Sequence, residues 1–224
     1  MTNMIINKIK PIEEILKEKY LKKRNKENIS FGDFVKSLDP LLDVFFKEIP
    51  PIFKNAQITN KKIEDFLYDK PLTKGLFIHG ECGTGKTYNF YGVYKTLKFN
   101  FKIMNINQRV KFINISNFFS EIKQTFGDPH SEEIINNLIK TSSILFLDDF
   151  SSEKTSEWTI ESLYRLIDYR YEQMLPTFIS SNLNLKELAN KVGDRIPSRM
   201  AQMCDIIKFE GGDQRILKVS DEEK

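Results

Sequence analysis

Polar and apolar positions follow two rhythms along this chain. Short apolar runs bounded by polar or turn-forming residues read as strands: Gly75–His79, Val110–Ile115, Ser143–Phe150, Thr177–Asn182 and a last one around Ile206–Phe209. Between them, apolar residues recur at helical spacing. Phe90, Val93, Tyr94 and Leu97 share one face of Tyr88–Leu97, and Ile160, Leu163, Tyr164, Ile167 and Tyr171 share one face of Glu157–Gln173, which ends before Pro176. Asn117–Phe126 predicts a helix with Phe118, Phe119, Ile122 and Phe126 apolar and Lys123 exposed, broken by Gly127-Asp128-Pro129-His130. A further helix is expected near Lys61–Tyr68. Phe101–Asn105 is also strand-like, and the pattern leaves open whether it forms a hairpin with Val110–Ile115 or leads into it.

Ahead of these elements, Pro11 opens an amphipathic helix with Ile12, Ile15, Leu16 and Tyr20 on one face. Its basic end, Lys22-Lys23-Arg24-Asn25-Lys26, is either a solvated helix end or a binding patch. Phe31, Phe34, Val35, Leu38, Leu41, Leu42, Val44, Phe45 and Phe46 then crowd a stretch broken by Asp39-Pro40, as two short helices would be. Such a surface must cover the rest of the chain or a partner. Ile49-Pro50-Pro51 is extended around its prolines. The reading divides the chain into an N-terminal helical segment, residues 1–47, and a core, residues 48–224.

The chemistry concentrates where the first strand meets its helix. Gly80-Glu81-Cys82-Gly83-Thr84-Gly85-Lys86-Thr87 matches G-x-x-x-x-G-K-[ST] in full, with strand before and helix behind. Its glycines let main-chain N–H groups turn toward a phosphate, Lys86 supplies a mobile charge, and Thr87 offers a hydroxyl to Mg²⁺. Ser143–Phe150 ends in the paired carboxylates Asp148 and Asp149. A strand lying beside the phosphate-loop strand would deliver Asp148 to the Mg²⁺ shell through a bound water and leave Asp149 near the γ-phosphate. Asn182 should emerge at the same sheet edge, where an amide can orient a water, although a turn asparagine would look the same.

Composition narrows the class without naming it. With 40% hydrophobic and 29% charged residues in 224, the chain fits one main soluble domain, and no apolar run reaches the length of a membrane span. A cytoplasmic location is expected. Cys82 and Cys204 are the only cysteines and His79 and His130 the only histidines, so neither a disulfide framework nor zinc is indicated. A net charge of +3 is too small to announce nucleic-acid binding.

The order of motifs resembles the AAA+ ATPases of the DnaC/DnaI type, bacterial helicase loaders, and their IstB-type relatives. The resemblance runs from about Ile49 to Arg215 and is carried by Gly80–Thr87, Val110-Lys111-Phe112-Ile113, Leu147-Asp148-Asp149-Phe150, Ile167-Asp168-Tyr169-Arg170-Tyr171, Ser181-Asn182-Leu183 and Gly193-Asp194-Arg195-Ile196-Pro197-Ser198-Arg199. It implies an α/β fold: a P-loop NTPase of the AAA+/ASCE class, with a three-layer core around a parallel sheet and no full helical lid. It implies ATP and Mg²⁺ as cofactors, an ATPase that is slow unless oligomerised or stimulated by DNA, and assembly on single-stranded DNA to load a replicative hexameric DNA helicase. By the same resemblance Lys86 and Thr87 bind the β/γ-phosphates and Mg²⁺, Asp148 holds the Mg²⁺ shell, Asp149 polarises the attacking water and Asn182 is the sensor-1 residue. Arg199 becomes the arginine finger reaching a neighbouring subunit's ATP, with Arg195 its closest competitor, so that the chain self-associates through Arg199. Arg215 is the only late candidate for a sensor-2 arginine. Lys111, Lys123 and Phe126 are candidate DNA contacts, with core packing the competing role for the phenylalanines, and Ile12–Lys22 is the helicase-docking element. A transposition helper and a nucleotide-switched DNA-binding module with little hydrolysis remain the alternatives.

Overall fold

The apolar runs become strands because helices cover both faces of the sheet they form, so that alternate residues of each run are buried on opposite sides. The computed structural model describes residues 9–24, 30–34, 36–38, 46–69, 71–124, 129–150 and 156–214. Five parallel strands, β1 (Gly75–His79), β2 (Val110–Asn114), β3 (Ile144–Asp148), β4 (Thr177–Ser181) and β5 (Cys204–Lys208), lie in the order β2-β3-β4-β1-β5. The helices are α1 (Ile12–Arg24), α2 (Lys61–Tyr68), α3 (Lys86–Ile103), α4 (Ile115–Gln124), α5 (Pro129–Thr141), α6 (Glu157–Glu172), α7 (Leu185–Val192) and α8 (Arg195–Met203).

Leu76, Ile78, Phe146 and Phe178 face α2 and α3, where they meet Ile63, Leu67, Phe90, Val93 and Leu97. Phe77, Leu145, Leu147 and Ile179 face the other way, into side chains of α4 to α8. Three layers result. Phe112, Phe146 and Phe178 are cross-strand neighbours whose rings stack 5.5 and 4.5 Å apart, and Tyr91 of α3 continues the stack at 4.1 Å from Phe112. A slip by one residue would turn these rings to the opposite face, so the ladder pins the register of β2, β3 and β4.

The residues ahead of the core pack onto α3. Ile9 joins the core beneath that helix; the side chain of buried Asn100 accepts from the Lys10 N–H at 2.9 Å and donates to the Lys10 carbonyl at 2.8 Å. Ile15 and Leu16 of α1 meet Phe34 and Phe99. Residues 31–34 and 36–38 are helical, whereas the second helix expected after Asp39-Pro40 lies outside the described residues. Gly92 permits the crossing of α3 by the segment before α2: a Cβ there would stand 2.5 Å from the Gln57 carbonyl carbon.

Two expectations are corrected. Phe101–Asn105 is not strand, because α3 continues to Ile103 and closes at Asn105, whose φ of 53° is left-handed. And β3 does not lie beside β1, since β4 runs between them. Helix α5, from Pro129 on, is not among the expected elements; Ile135, Leu138 and Ile139 are buried on one side of it. The buried Arg170 holds the lower sheet together, donating to Thr177 Oγ1 at 2.7 Å and to the carbonyls of Ser142, Ser143 and Pro176 at 2.8 to 3.2 Å. Those bonds satisfy carbonyls at the starts of β3 and β4, which would otherwise be costly to bury.

Candidate nucleotide site

The phosphate loop joins the C-terminal end of β1 to the first turn of α3. Gly83 and Gly85 have φ of 78° and 90°, a conformation that ordinary side chains rarely adopt, and Gly85 caps α3 with no side-chain hydrogen bond to its first N–H groups. Those N–H groups and the positive end of the helix form a ready seat for an anion. Two side chains hold the loop in shape. Thr84 Oγ1 donates to the Glu81 carbonyl at 2.9 Å, and buried Asn89 donates to the Gly85 carbonyl at 3.0 Å while accepting from the N–H groups of Thr59 and Asn60 at 2.8 and 3.1 Å. Asn89 thus fixes the segment before α2 to the loop. From the other end of the chain, the Gln214 N–H donates to the Gly83 carbonyl at 3.1 Å, and a Cβ on Gly83 would come within 2.0 Å of the Asp213 carboxyl carbon.

Lys86 is buried and donates to the carbonyls of Gly80 and Glu81, both at 2.7 Å, and to Asn182 Oδ1 at 2.8 Å. Thr87 Oγ1 stands 3.1 and 3.0 Å from the two Asp148 carboxylate oxygens. The strand order β3-β4-β1 therefore gathers Asp148, Asn182 and the loop, and Asp148 of β3 reaches the start of α3 through the Thr87 side chain although β4 separates β3 from β1. Asp149 has a left-handed φ of 58°, which aspartate tolerates better than most residues, and Asn182 Nδ2 reaches its Oδ1 at 3.5 Å.

Sequence reasoning missed Ser180. Its buried hydroxyl donates to Asp148 Oδ1 at 2.5 Å and accepts from the Asp149 N–H at 3.0 Å, so one group on β4 holds the carboxylate of Asp148 and the main chain of Asp149 just beyond β3. A pair of serines, Ser180 and Ser181, closing a short strand just before Asn182 was the available signal.

Burial is the main cause that holds the Asp148 carboxyl above the ordinary range. The Ser180 and Thr87 hydroxyls pull it back in part, and the neighbouring Asp149 charge pushes it up again. Because the folded value exceeds the unfolded one, the ionised carboxylate subtracts from stability at neutral pH, and that penalty fades as pH falls through the folded value. Asp148→Asn is accordingly expected to raise the Tm at pH 7, by about 2–4 °C for each kcal/mol relieved, and to lose that advantage in acid. Thermal melts at pH 7 and under acidic conditions check this; a lower Tm at pH 7 contradicts it.

The donors suit a magnesium triphosphate. A hydroxyl and a carboxylate are hard oxygen ligands of the kind Mg²⁺ takes beside phosphate oxygens and water, and side-chain-free glycines leave the main chain open to a bulky anion. Arg199 is placed apart. Its Nε donates to Asp168 and its Nη2 to Tyr164 Oη at 3.0 Å, both on α6, while Arg195 is exposed with its guanidinium carbon 5.6 Å from the Tyr164 ring centre. Lys111 donates to Thr141 Oγ1 of α5 at 3.3 Å, and Phe119 and Ile122 of α4 are core residues. Lys123 lies in α4; its side chain, together with Phe126 and Arg215, lies outside the described residues. Among the described residues no helix is long and apolar enough to cross a membrane.

A model of the bacterial DnaA ATPase domain matches residues 54–206. The replicative helicase loader DnaI of Bacillus subtilis (strain 168) is 27% identical over 151 residues, which cover 67% of this chain and 43% of that protein. The chain thus spans less than half the length of this relative. The crystal structure of the DnaC helicase loader superposes with a TM-score of 0.59 at 23% identity, covering 72% of this chain and all of that one. Replication initiator DnaA bound to AMPPCP and single-stranded DNA superposes with a TM-score of 0.53 at 22% identity, over 68% of this chain and 45% of that one. At these identities the structural likeness establishes the fold.

Proposed function

Because this chain belongs to the family of the bacterial DnaA ATPase domain and is a DnaC/DnaI-like AAA+ protein, we propose that it is an ATP-hydrolysing loader of a replicative hexameric DNA helicase, assembling on single-stranded DNA under ATP control. The observation that carries the reading is the meeting of Lys86, Thr87, Asp148 and Asn182 at the ends of β1, β3 and β4, while Arg199 is held on α6.

In this reading the N–H groups at the start of α3 and the Lys86 ammonium hold the β- and γ-phosphates. Thr87 and, through water, Asp148 would hold Mg²⁺, which when bound neutralises charge on the phosphoryl group being transferred. Asp149 orients and polarises the attacking water, with Asn182 beside it. Ser180 holds the Asp148 carboxylate and the Asp149 main chain. Arg199 of one chain stabilises the charge that develops on the ATP of the next, so ATP is sandwiched between chains and hydrolysis reports assembly. The N-terminal helix, which leaves its polar face outward on α3, docks the helicase, and the protein works in the cytoplasm.

Steady-state ATP turnover measured with and without single-stranded DNA tests the reading, and a several-fold stimulation is expected. Equal, negligible turnover in both would leave instead a nucleotide-switched binding module. The short Asp149 side chain, which stands farther from the water than a glutamate would, favours that second reading. Tighter binding to duplex than to single-stranded DNA would point to a transposition helper.

A further inference from the structure

In the α6 segment Ile167–Tyr171, Arg170 braces the sheet. Asp168 and Tyr171, with Tyr164 one turn earlier, converge instead on Arg199. Asp168 accepts from Arg199 Nε; the guanidinium lies 4.9 Å from the Tyr164 ring centre and 5.8 Å from that of Tyr171; and the Tyr171 hydroxyl donates to Gln202, one turn along α8 from Arg199, at 2.8 Å. The Arg199 and Asp168 side chains are each about one quarter exposed, at 25% and 26%. This is a seat on two packed helices, not a loose surface pair.

The chemistry of the fork matters. Guanidinium has five N–H donors, and Asp168 takes the one nearest the stem, the Nε–H. The Tyr164 hydroxyl takes one at Nη2, and the Arg195 carbonyl, at 3.4 Å, draws weakly on Nη1. The carboxylate therefore fixes the plane and direction of the group from behind while leaving the outer end of the fork able to meet a phosphate. Without it, a long side chain with several freely rotating bonds would have to be ordered afresh at each encounter.

We propose that Asp168, with the Tyr164 and Tyr171 rings, is the positioning residue for Arg199, presenting its guanidinium end-on to the nucleotide of an adjacent chain. The proposal rests on the two-chain site argued above. Asp168 touches no nucleotide itself and acts only in the chain that lends its arginine.

That asymmetry gives the test. Lys86→Ala chains keep the arginine but lack a working phosphate site, and Arg199→Ala chains have the opposite defect. Mixed on single-stranded DNA, they are expected to recover turnover that neither shows alone. Adding Asp168→Asn to the Lys86→Ala chain should lower the kcat of the mixture about 10- to 100-fold, the scale of an ångström-level misplacement, with the KM for ATP nearly unchanged. Adding it to the Arg199→Ala chain should change nothing, and Asp168→Glu, which keeps the carboxylate, should restore part of the loss. Equal losses in both arrangements would mark a merely structural residue, and no loss in either would show that Arg199 needs no guide; both overturn the proposal. A mixture no more active than its parents overturns the two-chain site, and the positioning role with it.

Discussion

Lys86→Ala is expected to weaken ATP binding by about 3–5 kcal/mol, roughly 10²- to 10⁴-fold in Kd, the cost of removing one partner from a buried, hydrogen-bonded charge contact. Lys86 as a whole is only 8% exposed, and its ammonium donates to two loop carbonyls and to Asn182. Each of these is an exchangeable partner, so a phosphate can replace one without moving the loop. Alanine leaves the glycine conformations and the start of α3 intact, so the variant should melt close to the parent. Calorimetric titration with ATP separates binding from folding. Normal affinity in a folded Lys86→Ala chain would place the triphosphate elsewhere.

Arg199→Ala should leave that affinity nearly unchanged in the isolated chain and cut turnover of the assembled protein by about 10³-fold or more, within the range for an arginine supplied in trans. The division follows from placement: the contacts of Arg199 are with α6 and with its own helix, whereas Lys86 is bound up with β4 and the loop. Arg195→Ala is the control, since Arg195 stacks on the same tyrosine from one turn earlier. If Arg195→Ala carries the loss and Arg199→Ala does not, the roles are reversed. If neither slows the assembled protein, the nucleotide is not completed by a neighbour at all.

The phosphate loop, the paired aspartates and Asn182 were legible because each is a local motif whose geometry follows from a few consecutive residues. What failed to show was set by neighbours in space. Phe99, Phe101 and Ile103 alternate like a strand, yet they belong to a helix that is covered nearly all round, since the sheet lies on one side and Ile15, Leu16 and Phe34 on another. Pro129 looked like the end of an element and is the first residue of α5, where its missing N–H costs nothing. The place of β4 between β1 and β3 depends on crossovers that no single segment encodes. Ser180 acquires its meaning only from that order, because its partners, Asp148 at the end of β3 and Asp149 just beyond it, lie more than thirty positions earlier in the chain.

The left-handed backbone at Asp149 bears on how this protein can change. Asparagine, like aspartate, tolerates that conformation, whereas β-branched and bulky residues strain it. Asparagine fills the same space but cannot take a proton from water, and a single base change in an aspartate codon produces it. Under the proposed mechanism, the side chain that replaces aspartate here with least change of shape is therefore one that stops hydrolysis. On that proposal a lineage carrying this chain stands one step from a form that binds ATP without cleaving it.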